Sequence, residues 1–312
     1  MIRVGTAGWH YDDWSGFVYP KRRPRGFDPL EQIARLFDAL EVNVTFYRVP
    51  DPSMTASWVK RVAFNQRFRF TVKVPRALTH GRSDPAQPVD PGEAERRFRE
   101  AVSPIAAAGR LGALLVQFPQ SFHRTEESLA HLEALLARFP DLPCVAEFRH
   151  AGWGEPSAIE HMKRLGAGFC NIDQPRLAAT LRPTEHATAP VAYIRLHGRN
   201  AAAWFAGGDA GRRASGREPI GDAAPGPAER YNYLYSEEEL RPWIASIRRI
   251  AEQAADTYVI ANNHFRGKAA VNALQIRAAL EGALVEVPDP LLAAYPVLAP
   301  IAKVPLGRLP FE

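Results

Sequence analysis

Six side chains carry the chemistry that this chain's spacing allows: Lys73, Glu147, Arg149, Asp173, Arg195 and His197. Each stands near the end of a short run rich in Val, Ile and Phe that reads as a β-strand. Side chains alternate across a strand. One parity of these runs is apolar: Val42, Val44 and Phe46; Phe68, Phe70, Val72 and Val74; Leu114, Val116 and Phe118; Ala146 and Phe148; Ile194 and Leu196. The other is polar: Asn43, Thr45 and Tyr47; Thr71 and Lys73; Gln117; Glu147 and Arg149; Asn171 and Asp173; Tyr193, Arg195 and His197; and Asn262. Carboxylates and imidazoles transfer protons, so Glu147, Asp173 and His197 are the catalytic candidates. Lys73, Arg149 and Arg195 are suited to hold an anion. Asn43, Tyr47, Gln117 and Asn262 share their parity and are further substrate contacts. Three cations against two carboxylates leave one positive charge, which fits a small anionic ligand. The competing reading is a structural network, with Lys73 or Arg149 on Glu147 and Arg195 on Asp173. Aromatic residues follow the same strand ends: Trp9, Trp153 and Trp204, with Tyr11 and Trp14 on the first loop. They stack on a ligand or pack loops onto the body.

The strands that must position these groups are expected at 2–6, 41–46, 68–74, 111–118, 144–148, 168–173, 192–197 and 257–262. Helical stripes run between most of them: Leu30, Ile33, Ala34, Phe37 and Leu40; Leu129, Leu132, Leu136 and Phe139; Ile244, Ile247, Ile250, Ala251 and Ala254. Eight strands alternating with helices predict an α/β fold, a single (β/α)₈ TIM-type barrel over residues 1–312. Its active sites belong at the C-terminal mouth, where the polar parity converges. The 312 residues suit one barrel domain with insertions, since such barrels run to ~250 residues. The stretch 174–191 shows no convincing helix. An open doubly wound sheet is the alternative, but GTAGWHY after the first strand is not the Gly-rich phosphate turn that fold uses. Residues 206–230 are rich in Gly, Ala and Pro and read as a long mobile loop on the mouth side, a lid or a tolerated insertion.

Composition narrows the function classes. The formal charge of +5 is spread over scattered arginines, at 22–25, 96–97, 212–213 and 248–249, without a basic block. This reads as a solvated surface more than a nucleic-acid footprint. Cys144 and Cys170 lie near strand starts and read as buried apolar residues. No signal peptide or membrane-spanning stretch is apparent, so a cytoplasmic protein without a membrane partner is expected. The Asn43-Val-Thr45 sequon falls inside a strand and reads as chance. A Ser-His-Asp hydrolase lacks its G-x-S-x-G elbow, and neither a P-loop nor H-E-x-x-H occurs. Glu147 and Asp173 on neighbouring strands could reach the ~5 Å spacing of a retaining glycosidase. Glu147, Asp173, His197 and Asn262 could hold a divalent metal, though three cations beside them oppose it, and no cofactor is expected.

Eight ordered segments resemble one family. They are VGTAGWHYDDWSGFVYP (4–20), EVNVTFYRVP (41–50), FTVKVPRALTH (70–80), LGALLVQFPQSF (111–122), VAEFRHAGW (145–153), YIRLHGRN (193–200), YNYLYSEEEL (231–240) and IANNHFRGKAAVNAL (260–274). Together they resemble the YecE-like family, domain of unknown function 72, over nearly the whole chain. The resemblance implies a (β/α)₈ barrel and no particular reaction. Its motifs carry over onto Gly8, Trp9, Asn43, Thr45, Tyr47, Lys73, His80, Gln117, Glu147, Arg149, His150, Trp153, Asp173, Arg195, His197, Gly198, Asn262 and Asn263. His10, where a small hydroxyl residue is expected, and the long 206–230 segment depart from the pattern. The combined expectation is an enzyme acting on a small anionic, phosphorylated or sugar-like substrate by carboxylate and histidine acid–base chemistry. The alternatives are a non-catalytic ligand-binding or regulatory protein, or a metal-assisted phosphodiester-cleaving enzyme on nucleic acid.

Overall fold

In a computed structural model, which describes residues 1–80, 90–204 and 227–303, eight parallel strands close into a barrel in chain order. They are β1 (Ile2–Ala7), β2 (Ala39–Val42), β3 (Arg69–Lys73), β4 (Leu111–Gln117), β5 (Cys144–Glu147), β6 (Gly168–Asp173), β7 (Val191–Leu196) and β8 (Asp256–Ala261). Outside them lie α1 (Pro29–Leu36), α2 (Pro52–Arg61), α3 (Arg76–Thr79), α4 (Pro91–Ala107), α5 (Glu126–Leu136), α6 (Pro156–Arg164), α7 (Glu237–Ala251), α8 (Lys268–Glu281) and α9 (Asp289–Ala294). Among the described residues no helix is long and apolar enough to cross a membrane.

Asp-Pro pairs start three of the helices. Asp28, Asp51 and Asp90 accept hydrogen bonds from first-turn amides of α1, α2 and α4, and the following proline supplies a preset helical φ. Ser236 and Glu239 form a capping box on α7. Two glycines let the barrel close. A Cβ on Gly5 would sit 1.8 Å from the Ala39 carbonyl oxygen, and one on Gly112 would enter the Tyr258 ring that fills the lumen.

Three expectations are corrected. β2 spans Ala39–Val42, not 41–46, and Val44–Phe46 form a 3₁₀ turn. Val44 is exposed there, so the apparent apolar parity of 42, 44 and 46 is not one strand face. The first helical stripe also runs too far: α1 ends at Leu36, and Leu40 lies in β2. In β6 the parity is inverted. Cys170 and Ile172 are in register with Tyr193 and Arg195 and face the lumen, while Asn171 and Asp173 pair with Ile194 and Leu196 and face outwards.

That inversion goes with the missing helix. Residues 174–190 cross the outside of β6 as an irregular strap, whose backbone needs polar partners. Asn171 supplies them: its Nδ2 donates to the His186 carbonyl (2.9 Å), and its Oδ1 accepts from His186 N (2.8 Å) and Thr184 Oγ1 (2.9 Å). Of the Gly/Ala/Pro-rich stretch, 206–226 lies outside the described residues, and Pro227–Tyr231 is a 3₁₀ helix.

Candidate functional site

Polar groups from β2, β3, β5 and β7 meet inside the barrel below its C-terminal mouth. Arg195, 2% exposed, donates from one terminal nitrogen to Glu147 and from the other to Glu41 Oε1 at 2.6 Å. Arg149 donates to Glu147 Oε1 from Nε (3.0 Å), with its Nη2 at 2.9 Å from the same oxygen, and lies over the Trp204 ring. Beneath them, Tyr193 donates to Glu41 Oε2 (2.9 Å) and sits 2.6 Å from Thr71 Oγ1. Glu147 and Glu41 are fully buried. Burying two carboxylates is costly unless both are paired, and Arg195 pairs both.

Lys73 ends β3 beside this network. Its carbonyl accepts from Thr45 Oγ1 at 2.6 Å, and Nζ stands 3.7 Å from the centre of the Phe46 ring. It is 8% exposed, and among the described residues no carboxylate lies within ion-pair distance of Nζ. His197, fully buried, accepts at Nδ1 from Asn262 Nδ2 (2.8 Å). Its Nε2 lies 3.3 Å from Glu147 Oε1, poorly aligned for a hydrogen bond. Trp204 packs edge-on against the imidazole.

The electrostatics follow from burial and these partners. Burial opposes a charge on Glu147, but Arg195 and Arg149 outweigh it and hold the carboxyl well below its ordinary range. Burial likewise opposes the charge on Arg195, and Glu147 and Glu41 over-compensate, pushing it up. Burial and then Arg149 bring His197 down to about 3, leaving a neutral imidazole at physiological pH. Burial and Arg195 bring Lys73 down to about 7, against the opposing pull of Glu147 and Glu41.

Several expected site residues are placed elsewhere. Asp173 lies behind the sheet, where Arg199 grips it from Nε (2.8 Å) and Nη2 (3.1 Å) and also reaches Glu239 on α7 (2.9 Å). The expected Arg195–Asp173 pair therefore does not form. Glu147 and Asp173 occupy opposite faces of the sheet, so they make no glycosidase-type carboxylate pair across a lumen ligand. Tyr47 follows the 3₁₀ turn and is 81% exposed, beside the mouth and not in it. Trp153 is fully buried, stacked at 4.0 Å on Phe148 with Nε1 donating to the Phe122 carbonyl, so it packs the β5 loop. Trp9 is half-buried edge-on against Trp58 of α2. Gln117 donates to the Phe118 carbonyl, and among the described residues the buried Asn43 Oδ1 has no hydrogen-bond partner.

Sequence reasoning missed Glu41 and Arg199. Glu41 was legible once β2 is read as Ala-Leu-Glu-Val, since it shares the parity of Asn43. Arg199 follows Gly198, whose φ of +88° turns the chain off the strand, so alternation carries no signal there. These two residues change the charge count. Asp173 is answered by Arg199, and the lumen cluster sets Lys73, Arg149 and Arg195 against Glu41 and Glu147. The cation in excess is Lys73. Among the described residues no group of three His, Cys, Asp or Glu is arranged to hold a metal. A lateral cleft of about 740 Å³ opens between the 45–52 turn and α4, lined in part by Tyr47, Arg76, His80 and Arg97. Thr45 and Phe46 also line it, whereas Lys73, Glu147, Arg149 and Arg195 do not.

The comparisons agree with this architecture. The model of the family described as "Protein of unknown function DUF72" matches residues 3–294. The UPF0759 protein YunF of Bacillus subtilis is 28% identical over 293 residues, covering 90% of this chain and 95% of that protein. A crystal structure of a DUF72 family protein from Thermotoga maritima superposes with a TM-score of 0.72 at 31% identity, covering 90% of this chain and 99% of the other. One from Enterococcus faecalis gives 0.75 at 28% identity, covering 90% and 96%. With its match spanning the barrel from β1 to α9, the chain belongs to the DUF72 family, the UPF0759 proteins that include YunF and YecE.

Proposed function

We propose that the mouth binds a small anionic compound, phosphorylated or sugar-like, and acts on it by proton transfer. The observation that carries this reading is Lys73: a nearly buried ammonium without a carboxylate partner among the described residues, in a cluster whose other charges are paired. A ligand anion would complete that pairing, with Arg149 as its second donor, and a charged hydrogen bond in a low-dielectric site is strong. Arg195 is committed to Glu41 and Glu147 and acts as the brace behind the site. The proton-transfer groups then sort by environment. Glu147 is held ionised and serves as acceptor or electrostatic stabiliser, His197 presents a neutral imidazole, and Lys73 titrates near neutrality.

A screen of phosphomonoesters, phosphodiesters, glycosides and abasic DNA, each with and without Mn, Mg and Zn, tests the reading. Turnover of a small anionic substrate is expected, falling roughly 100-fold or more in Glu147→Gln, the usual scale of a lost acid–base group. Tight binding of such compounds with no turnover would replace the enzyme by a ligand-binding protein. Turnover confined to DNA, with steep salt dependence, would move the substrate to nucleic acid.

A further inference from the structure

We propose that Lys73 is an amine nucleophile that forms an imine with the carbonyl carbon of an anionic aldehyde or 2-oxo acid held at the mouth. This rests on the anion-binding reading and names the substrate class within it. The chain has 33 arginines and six lysines, so arginine is its default cation. The structural cations of the interior follow that rule: Arg3, Arg110 and Arg195 are all buried. Lys21, Lys60, Lys163 and Lys303 are exposed and Lys268 is half-buried, which leaves Lys73 as the buried lysine. Arginine cannot release its proton in a protein, whereas a lysine amine can, and only the neutral amine has a lone pair to attack a carbonyl.

The surroundings suit that chemistry. Thr45 pins the Lys73 backbone at the end of β3, so the side chain starts from a rigid element. Nζ stands over the face of the Phe46 ring, a weaker partner for the ammonium than a carboxylate. The charged groups facing Lys73 are Arg195 from β7, Glu147 from β5, Glu41 from β2 and Arg149 beyond β5. Both carboxylates are already engaged by guanidinium groups, so neither locks the ammonium as an ion pair. Arg149, paired on one side only and partly exposed, remains to receive the substrate carboxylate or phosphate.

The step is balanced without an oxidant or reductant. The Nζ lone pair bonds to the carbonyl carbon, the carbonyl oxygen takes up a proton, and the resulting carbinolamine loses water as the C=N bond forms. The amine's two hydrogens and the carbonyl oxygen leave as that water.

Glyoxylate, a small anionic aldehyde, is the probe. The wild-type protein is treated with limiting glyoxylate and cyanoborohydride, which delivers hydride to the imine carbon and fixes it as a secondary amine. Peptide mapping then compares the carboxymethyl adduct at Lys73 with those at Lys21, Lys60 and Lys163. At pH 7 labelling of Lys73 is expected to be at least roughly tenfold faster, because an ordinary lysine is almost wholly protonated there. Its rate should level off above about 7, and sulfate should compete. Labelling of Lys73 no faster than that of the surface lysines would overturn the proposal. If sulfate nonetheless binds at the mouth, the imine alone falls. If sulfate does not bind either, the anion-binding reading falls with it.

Discussion

Within the lumen a single guanidinium, that of Arg195, bridges two buried carboxylates contributed by strands on different sides of the barrel. His197 lies against this unit uncharged, because burial and Arg149 oppose a second cation there. The consequence for stability has a definite sign. His197 in the folded protein titrates at about 3, below its ordinary 6.5, so between those values the unfolded chain binds more protons than the native one. The contribution is present above 6.5 and is lost as the pH falls towards 3, by at most about 1.4 kcal/mol per pH unit. Glu147, also lowered, adds its own loss below 4.5. Urea unfolding from pH 7 to pH 5 should show stability falling in the wild type and a flatter profile in His197→Asn. Parallel profiles would mean that His197 is protonated in the native state. At this scale Lys73, Glu147, Arg195 and His197 are legible in the sequence, because each lies on a strand with an apolar opposite face and alternation then leaves one direction inwards. Glu41 stays hidden because Val44 and Phe46 imitate an apolar strand face while belonging to a turn.

The strands themselves are legible because each is a short β-branched or aromatic run, and the closed barrel follows from their number and their alternation with helices. What fails is the assumption that polar means inward. On β6 the outer face meets the irregular 174–190 strap as well as α6, so Asn171 there meets strap backbone groups instead of apolar side chains. The missing helix and the outward Asn171 are therefore one feature of the sequence, while the outward Asp173 answers Arg199. Asn171→Ala should leave the His186 N–H and Thr184 without their acceptor. A loss of roughly 1–3 kcal/mol in denaturant unfolding is expected, the cost of leaving such buried groups unsatisfied. Limited proteolysis should cut first within 174–190. An unchanged unfolding midpoint would show that the strap is held by other contacts, such as Thr188 with Phe169 and Ala167.

For the molecule as a whole, the formal charge of +5 is carried mostly by dispersed arginines, and among the described residues the cation of the lumen cluster without a carboxylate partner is Lys73 at the mouth. The barrel concentrates that charge by closing strands that are far apart in sequence around one lumen, with Glu41 and Arg195 separated by 154 residues. The most direct test is a crystal soaked in sulfate at pH 6, where Lys73, titrating at about 7, carries its proton. Sulfate is chosen because it does not itself titrate in this range. The account predicts a sulfate ion within hydrogen-bond distance of Lys73 Nζ and the Arg149 guanidinium, with Arg195 still bridging Glu41 and Glu147. A mouth holding only water, with Arg149 closed on Glu147 and Lys73 still against Phe46, would contradict it and leave the cluster as a structural network.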